Sequence, residues 1–138
     1  MTAPLHALRV LLVDDAPFVI SLVRGLLGAV GVSRVTAARN GTEALHLLET
    51  TPQDVAFVDW EMEPINGIEF VKAVRAAGSP APRLPLIMLT SHAATCRVLE
   101  ARAAGVNEYL IKPFTASGVL GRLAAVNQQR GPAGKRPH

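Results

Sequence analysis

The chain has 138 residues, 49% of them hydrophobic and only 4% aromatic, with a formal net charge of +3. That length suits one domain with an aliphatic core. No apolar run approaches the roughly 20 residues that a membrane-spanning helix needs, and Met1–Ala7 lacks the charged-then-apolar layout of a signal peptide.

In chain order, the run Leu8–Val13 is short, β-branched and uninterrupted, as buried parallel strands are, and it ends in Asp14-Asp15. Pro17 then stands where a first-turn proline is tolerated. Phe18, Leu22, Val23, Leu26, Leu27 and Val30 recur at helical spacing until Gly31. A strand is predicted over Ser33–Ala37, a turn at Asn40-Gly41, and a helix over Thr42–Glu49 with Ala44, Leu45 and Leu48 on one face. A third strand, Val55–Val58, ends in Asp59. Asn66-Gly67 opens a helix through Ala76, and the three prolines between Gly78 and Pro85 make a stiff connector.

The fourth strand, Leu86–Leu89, ends in Thr90-Ser91, and a helix is predicted over Ala93–Ala104, stopped by Gly105. The fifth strand, Glu108–Ile111, ends in Lys112-Pro113, and a last helix spans Thr115–Gln128. Five strands alternating with five helices predict a three-layer α/β sandwich around a parallel sheet. Residues 1–6 are read as an N-terminal extension, 7–128 as the domain, and 129–138 as a disordered, basic tail rich in Gly and Pro. Arg130, Lys135 and Arg136 lie in that tail, and without them the 11 remaining basic residues equal the 11 acidic ones. The positive charge is therefore local, and no direct nucleic-acid or membrane partner is expected. The single cysteine, Cys96, cannot form an internal disulfide, which suits a cytoplasmic protein.

Ligands of open α/β sheets bind outside the carboxyl ends of the strands. The strand ends here deliver three carboxylates, a hydroxyl and an ammonium to one edge. Asp14 and Asp15 alone are compatible with capping a helix. With Asp59 beside them, mutual repulsion calls for a cation or a proton. Hard carboxylate oxygens suit Mg²⁺, which keeps waters and shares its shell with phosphate. His6, His46, His92 and His138 lack the spacing of a zinc site. Thr90 and Lys112 suit contact with a phosphoryl group.

Over about residues 7 to 128 these motifs resemble the receiver domain of two-component response regulators, single-domain chemotaxis-type regulators included. The resemblance rests on Asp14-Asp15, Asp59, Thr90, Lys112-Pro113, the stretch Ala104–Phe114, and Gly67 eight residues past Asp59. It implies a flavodoxin-like fold with strand order 2-1-3-4-5 and a phosphorelay role in signal transduction. Asp59 would accept a phosphoryl group from a histidine kinase or phosphotransfer protein. Asp14, Asp15, Asp59 and the backbone carbonyl of Glu61 would hold Mg²⁺, and Thr90 and Lys112 would sense the phosphoryl oxygens. Tyr109 is either the family's switch aromatic or a plain half-buried side chain. The resemblance also implies a cis peptide at Lys112-Pro113. Partner binding would fall on the face of the fourth helix, fifth strand and fifth helix, making the chain a phosphorylation-controlled switch with a downstream target protein rather than an enzyme.

Two features depart from the family. Met62-Glu63-Pro64 places the proline one position later than usual. Glu61 and His92 occupy positions that tune phosphate lifetime in receivers, although Glu61 and Glu63 also read as solvated loop acids. Trp60 is expected to be a partly exposed loop aromatic able to report metal or phosphate. The alternative reading is a Mg²⁺-dependent aspartyl-phosphate phosphatase. Glu61 stands at that class's second acidic position, but the chain has no room for a cap domain.

Overall fold

A computed structural model describes residues 4–62, 66–91 and 95–130. After a 3-10 turn at Leu5–Ala7, strands and helices alternate: β1 (Arg9–Val13), α1 (Pro17–Ala29), β2 (Arg34–Ala38), α2 (Gly41–Thr50) and β3 (Val55–Asp59). They are followed by α3 (Gly67–Arg75), β4 (Leu86–Thr90), α4 (Thr95–Ala104), β5 (Glu108–Ile111) and α5 (Ala116–Arg130). The five strands form one sheet in the order β2-β1-β3-β4-β5, and every pairing is parallel.

The uninterrupted apolar runs are explained by what covers each face. Leu11 and Val13 of β1, Ala56 and Val58 of β3, and Leu86 and Met88 of β4 share one core with Ala44, Leu48, Phe70, Val71, Val74 and Ala101. Their neighbours Val10, Leu12, Phe57, Ile87 and Leu89 point the other way, into a second core with Val23, Leu27, Val119, Leu123 and Val126. A strand buried on both faces loses the apolar–polar alternation of a half-exposed one. Edge strand β2 is only partly buried, and its sequence signal is correspondingly weaker.

Most boundaries fall within a residue or two of those predicted, and the shifts have local causes. Asn40-Gly41 is a helix start rather than a turn: the Asn40 side chain accepts from Glu43 N–H at 2.8 Å, and Gly41 is already helical. Asn66 caps α3 in the same way, and Glu69 returns a bond to the Asn66 N–H at 2.9 Å, which completes a capping box. Thr115 lies just outside α5 and accepts from Gly118 N–H at 3.0 Å. The α5 helix continues to Arg130, two residues beyond its predicted end. The shifted Glu63-Pro64 pair, His92 and residues 131–138 lie outside the described residues.

Candidate functional site

Parallel pairing brings the polar strand ends to one edge. Val13 lies opposite Val58 in the register, Asp59 opposite Leu89, and Thr90 opposite Ile111. Main-chain bonds extend the ladder just past the strands: Asp14 N–H to Ala38 O, Trp60 N–H to Leu89 O, and Lys112 N–H to Thr90 O, at 2.9–3.0 Å. Asp14, Asp59, Thr90 and Lys112 are therefore held by the sheet itself.

The carboxylates of Asp14, Asp15 and Asp59 each offer an oxygen, and these oxygens lie within 4.8 Å of one another. The two residues of the acidic pair differ. Asp14 is buried, 3% exposed, and accepts a 2.8 Å bond from Ala16 N–H, which shapes the turn into α1; Asp15 is exposed. Helix capping and charge clustering thus coexist in Asp14.

Burial raises the Asp14 carboxyl above its ordinary value, opposed by the Ala16 N–H and the Lys112 charge and reinforced by Asp15. Asp59, half-buried, is pushed up to about 6, first by desolvation and then by the charge of Asp14. A hydrogen bond from Glu61 N–H and the Lys112 ammonium pull the other way. A carboxyl held this far up by burial and by the charge of a neighbouring acid is one that a cation would relieve. The donor set is three carboxylate oxygens, two of them on flanking residues of one loop, which fits a hard, oxygen-seeking divalent ion such as Mg²⁺.

Thr90 is buried at the end of β4, 6% exposed. Lys112 is exposed, with its ammonium 5.8 Å from the centre of the Phe114 ring. The Lys112–Pro113 peptide is cis, as the resemblance implies. Tyr109 is partly buried against the α2–α3–α4 core, and its carbonyl accepts a 2.8 Å bond from Arg122 Nε. The Glu61 side chain is exposed and is not among the three carboxylates that meet.

Trp60 corrects its sequence reading: it is buried, 8% exposed, within the core under α3. The Gly67 N–H bonds to Trp60 O at 2.8 Å, so the start of α3 sits against residue 60, and the indole shares the core with Ile68 and Phe70 of that helix. Sequence reasoning also missed the Glu61 N–H as a donor to Asp59, since a main-chain group carries no residue signature.

The family model of the response regulator receiver domain matches residues 10–124. The chemotaxis protein CheY of Pseudomonas aeruginosa is 37% identical over 109 residues, covering 79% of this chain and 87% of that protein. The solved structure of Vibrio cholerae chemotaxis protein CheY4, crystallised at low pH, superposes with a TM-score of 0.79 at 34% identity, covering 86% of this chain and 98% of that one. The receiver domain of the sensor histidine kinase PA1611 from Pseudomonas aeruginosa, with a magnesium ion coordinated in its active-site cleft, gives a TM-score of 0.74 at 28% identity over 84% of this chain and 93% of that one. No helix among the described residues is long and apolar enough to cross a membrane.

Proposed function

The chain belongs to the response regulator receiver family, and on that premise we propose that Asp59 is its phosphoacceptor, taking a phosphoryl group from a histidine kinase or a phosphotransfer protein. The observation that carries this reading is the meeting of Asp14, Asp15 and Asp59 within 4.8 Å at the carboxyl edge of the sheet, with Asp59 at the end of the central strand. An oxygen of the Asp59 carboxylate attacks phosphorus while the bond from phosphorus to the donor atom breaks, giving an aspartyl phosphate. Asp14, Asp15, Asp59 and the Glu61 carbonyl would hold Mg²⁺; the acidic cluster and the magnesium-bearing receiver that this chain resembles support this reading. When bound there, the ion would supply charge neutralisation for the transferred group.

The remaining work is done by positioned residues. The Glu61 N–H orients the nucleophile, the Lys112 ammonium faces the added charge, and the Thr90 hydroxyl at the end of β4 donates to a phosphoryl oxygen. A shift of Thr90 and Lys112 toward phosphate reaches β5 and Tyr109, whose backbone is tied to α5 by Arg122. The signal then emerges on the α4–β5–α5 face, where Leu99, Ile111 and Leu120 are exposed large apolar side chains suited to a target protein. The test is direct. With Mg²⁺ and acetyl phosphate the native chain should gain the mass of one phosphoryl group, and Asp59→Ala should gain none. Full modification of the alanine variant would refute the assignment.

Glu61 and His92 are proposed as the residues that set phosphate lifetime. The Glu61 side chain carries a solvent-exposed negative charge two residues from the acceptor, which disfavours approach of the hydrolytic water. Exposed charge effects are worth about 0.2–1 kcal/mol, so Glu61→Gln is expected to speed dephosphorylation about threefold. An unchanged decay of radiolabelled phosphoprotein would remove Glu61 from this role.

A further inference from the structure

We infer that Gly67 is a positioning residue for the phosphorylation site: its missing side chain lets the start of α3 seat directly against the Asp59–Trp60 peptide and so fixes the Asp59 carboxylate and the Glu61 carbonyl. The inference rests on the reading of those groups as the metal and phosphoryl site. A Cβ built on Gly67 would stand 2.5 Å from the Asp59 carbonyl oxygen, 2.9 Å from Trp60 Cα and 3.2 Å from the Asp59 carbonyl carbon. All three are main-chain atoms of the acceptor and its neighbour, so no flexible side chain can swing away to make room. The requirement at Gly67 is one of space, unlike Gly31, Gly78 and Gly105, whose φ values of 90–113° are positive.

The same contact closes the loop that completes the site. Gly67 N–H bonds to Trp60 O at 2.8 Å, and Asn66 and Glu69 lock the helix start immediately beside it. Glu61 lies inside the loop so closed, and its N–H holds the Asp59 carboxylate. Displacing α3 by the several tenths of an ångström that a methyl group demands therefore moves the nucleophile, its main-chain donor and the Glu61 carbonyl together.

The discriminating control is Gly105, at the amino end of β5 on the opposite edge of the sheet. A Cβ there would stand 2.9 Å from Arg75 side-chain atoms, and φ is +113°, so Gly105→Ala also strains the fold but does so away from the site. Mg²⁺ affinity is read by calorimetry and by emission of Trp60, the only tryptophan, at a temperature where circular dichroism shows each variant folded. Groups that orient metal ligands typically change affinity 10- to 100-fold when removed. Gly67→Ala is expected to raise the Mg²⁺ dissociation constant about tenfold, and Gly105→Ala to leave it within twofold. Should Gly67→Ala not fold, Asn66→Ala decides: loss of the exposed cap loosens the same helix start and is expected to weaken Mg²⁺ about threefold. A dissociation constant within twofold of native in the variant that folds at residue 67 or 66, or an equal loss in Gly105→Ala, overturns the positioning role alone. A native chain that binds no Mg²⁺ overturns the metal reading of the site and this inference with it.

Discussion

Replacing Asp59 with asparagine is expected to abolish phosphoryl uptake and, at the same time, to make the metal-free protein more stable at neutral pH. Asparagine keeps the size of the side chain and can still accept from Glu61 N–H, but it removes one of three mutually repelling charges. The Asp59 carboxyl stands at about 6 in the folded chain against an ordinary 3.8, mainly through desolvation and the charge of Asp14. Below pH 3.8 the group is protonated in both folded and unfolded chains and contributes nothing. Between 3.8 and 6 the unfolded chain loses the proton while the folded chain keeps it, so stability falls as pH rises. Above 6 the full destabilisation is present. Such a displacement corresponds to about 3 kcal/mol; Asp59 is partly solvated, and screening leaves about 1–2 kcal/mol. In EDTA at pH 7.5, urea denaturation of Asp59→Asn should therefore show a gain of about 1–2 kcal/mol over the native chain, roughly halved at pH 5. Added Mg²⁺ should narrow the gap from the other side, because an ion that binds the folded native chain stabilises it by mass action. Equal midpoints for the two proteins, or a gap that widens toward pH 5, would contradict this account of the site.

The legible part of this protein is what repeats with a simple period or terminates it. Leu11 and Leu12 face opposite cores, yet both must be apolar, so β1 shows as a run whose last apolar residue marks the sheet edge. Asp14, Asp59, Thr90 and Lys112 follow such runs directly, which is why the candidate site could be assembled from strand ends alone. What escaped is whatever depends on approach between segments far apart in sequence. The difference between buried Asp14 and exposed Asp15 arises from the turn into α1. Trp60 reads as a loop residue until α3 is seen to close over it. The Asn40-Gly41 pair carries the signature of a turn and of a helix cap alike, and only the Glu43 N–H within reach of the asparagine decides between them. Arg75 is the extreme case, since nothing nearby in the sequence separates it from Arg24 or Arg102 on the other helices.

Arg75 is expected to be among the most costly side chains outside the two cores to remove. It is the last residue of α3, and its guanidinium uses all five N–H donors on neutral oxygens. Nε and Nη2 bond to Gly105 O at 3.0 and 2.8 Å, Nη1 to Pro82 O at 3.1 Å and Leu84 O at 2.7 Å, and Nη2 also to Asn107 Oδ1 at 2.9 Å. Asn107 Oδ1 in turn accepts from Leu86 N–H at 2.8 Å. One side chain thus joins α3, the proline-rich connector, the first residue of β4 and the turn into β5. Burial lowers the guanidinium's affinity for its proton, but an arginine side chain does not give up that proton in a protein and stays charged. Hydrogen bonds from a charged donor contribute about 1.5–3 kcal/mol each, though bonds sharing one group are far from additive. Arg75→Ala is expected to lower stability by about 3–4 kcal/mol in urea denaturation. Arg75→Lys should recover less than half, because a single ammonium cannot reach acceptors spread around a planar fork. Arg9 sharpens the comparison. Its guanidinium and backbone N–H bond to Asp54 at 2.8–3.1 Å, but its side chain is 43% exposed, and exposed ion pairs contribute about 1 kcal/mol or less. If Arg9→Ala proves as damaging as Arg75→Ala, charge pairing rather than the carbonyl cluster holds this end of the sheet.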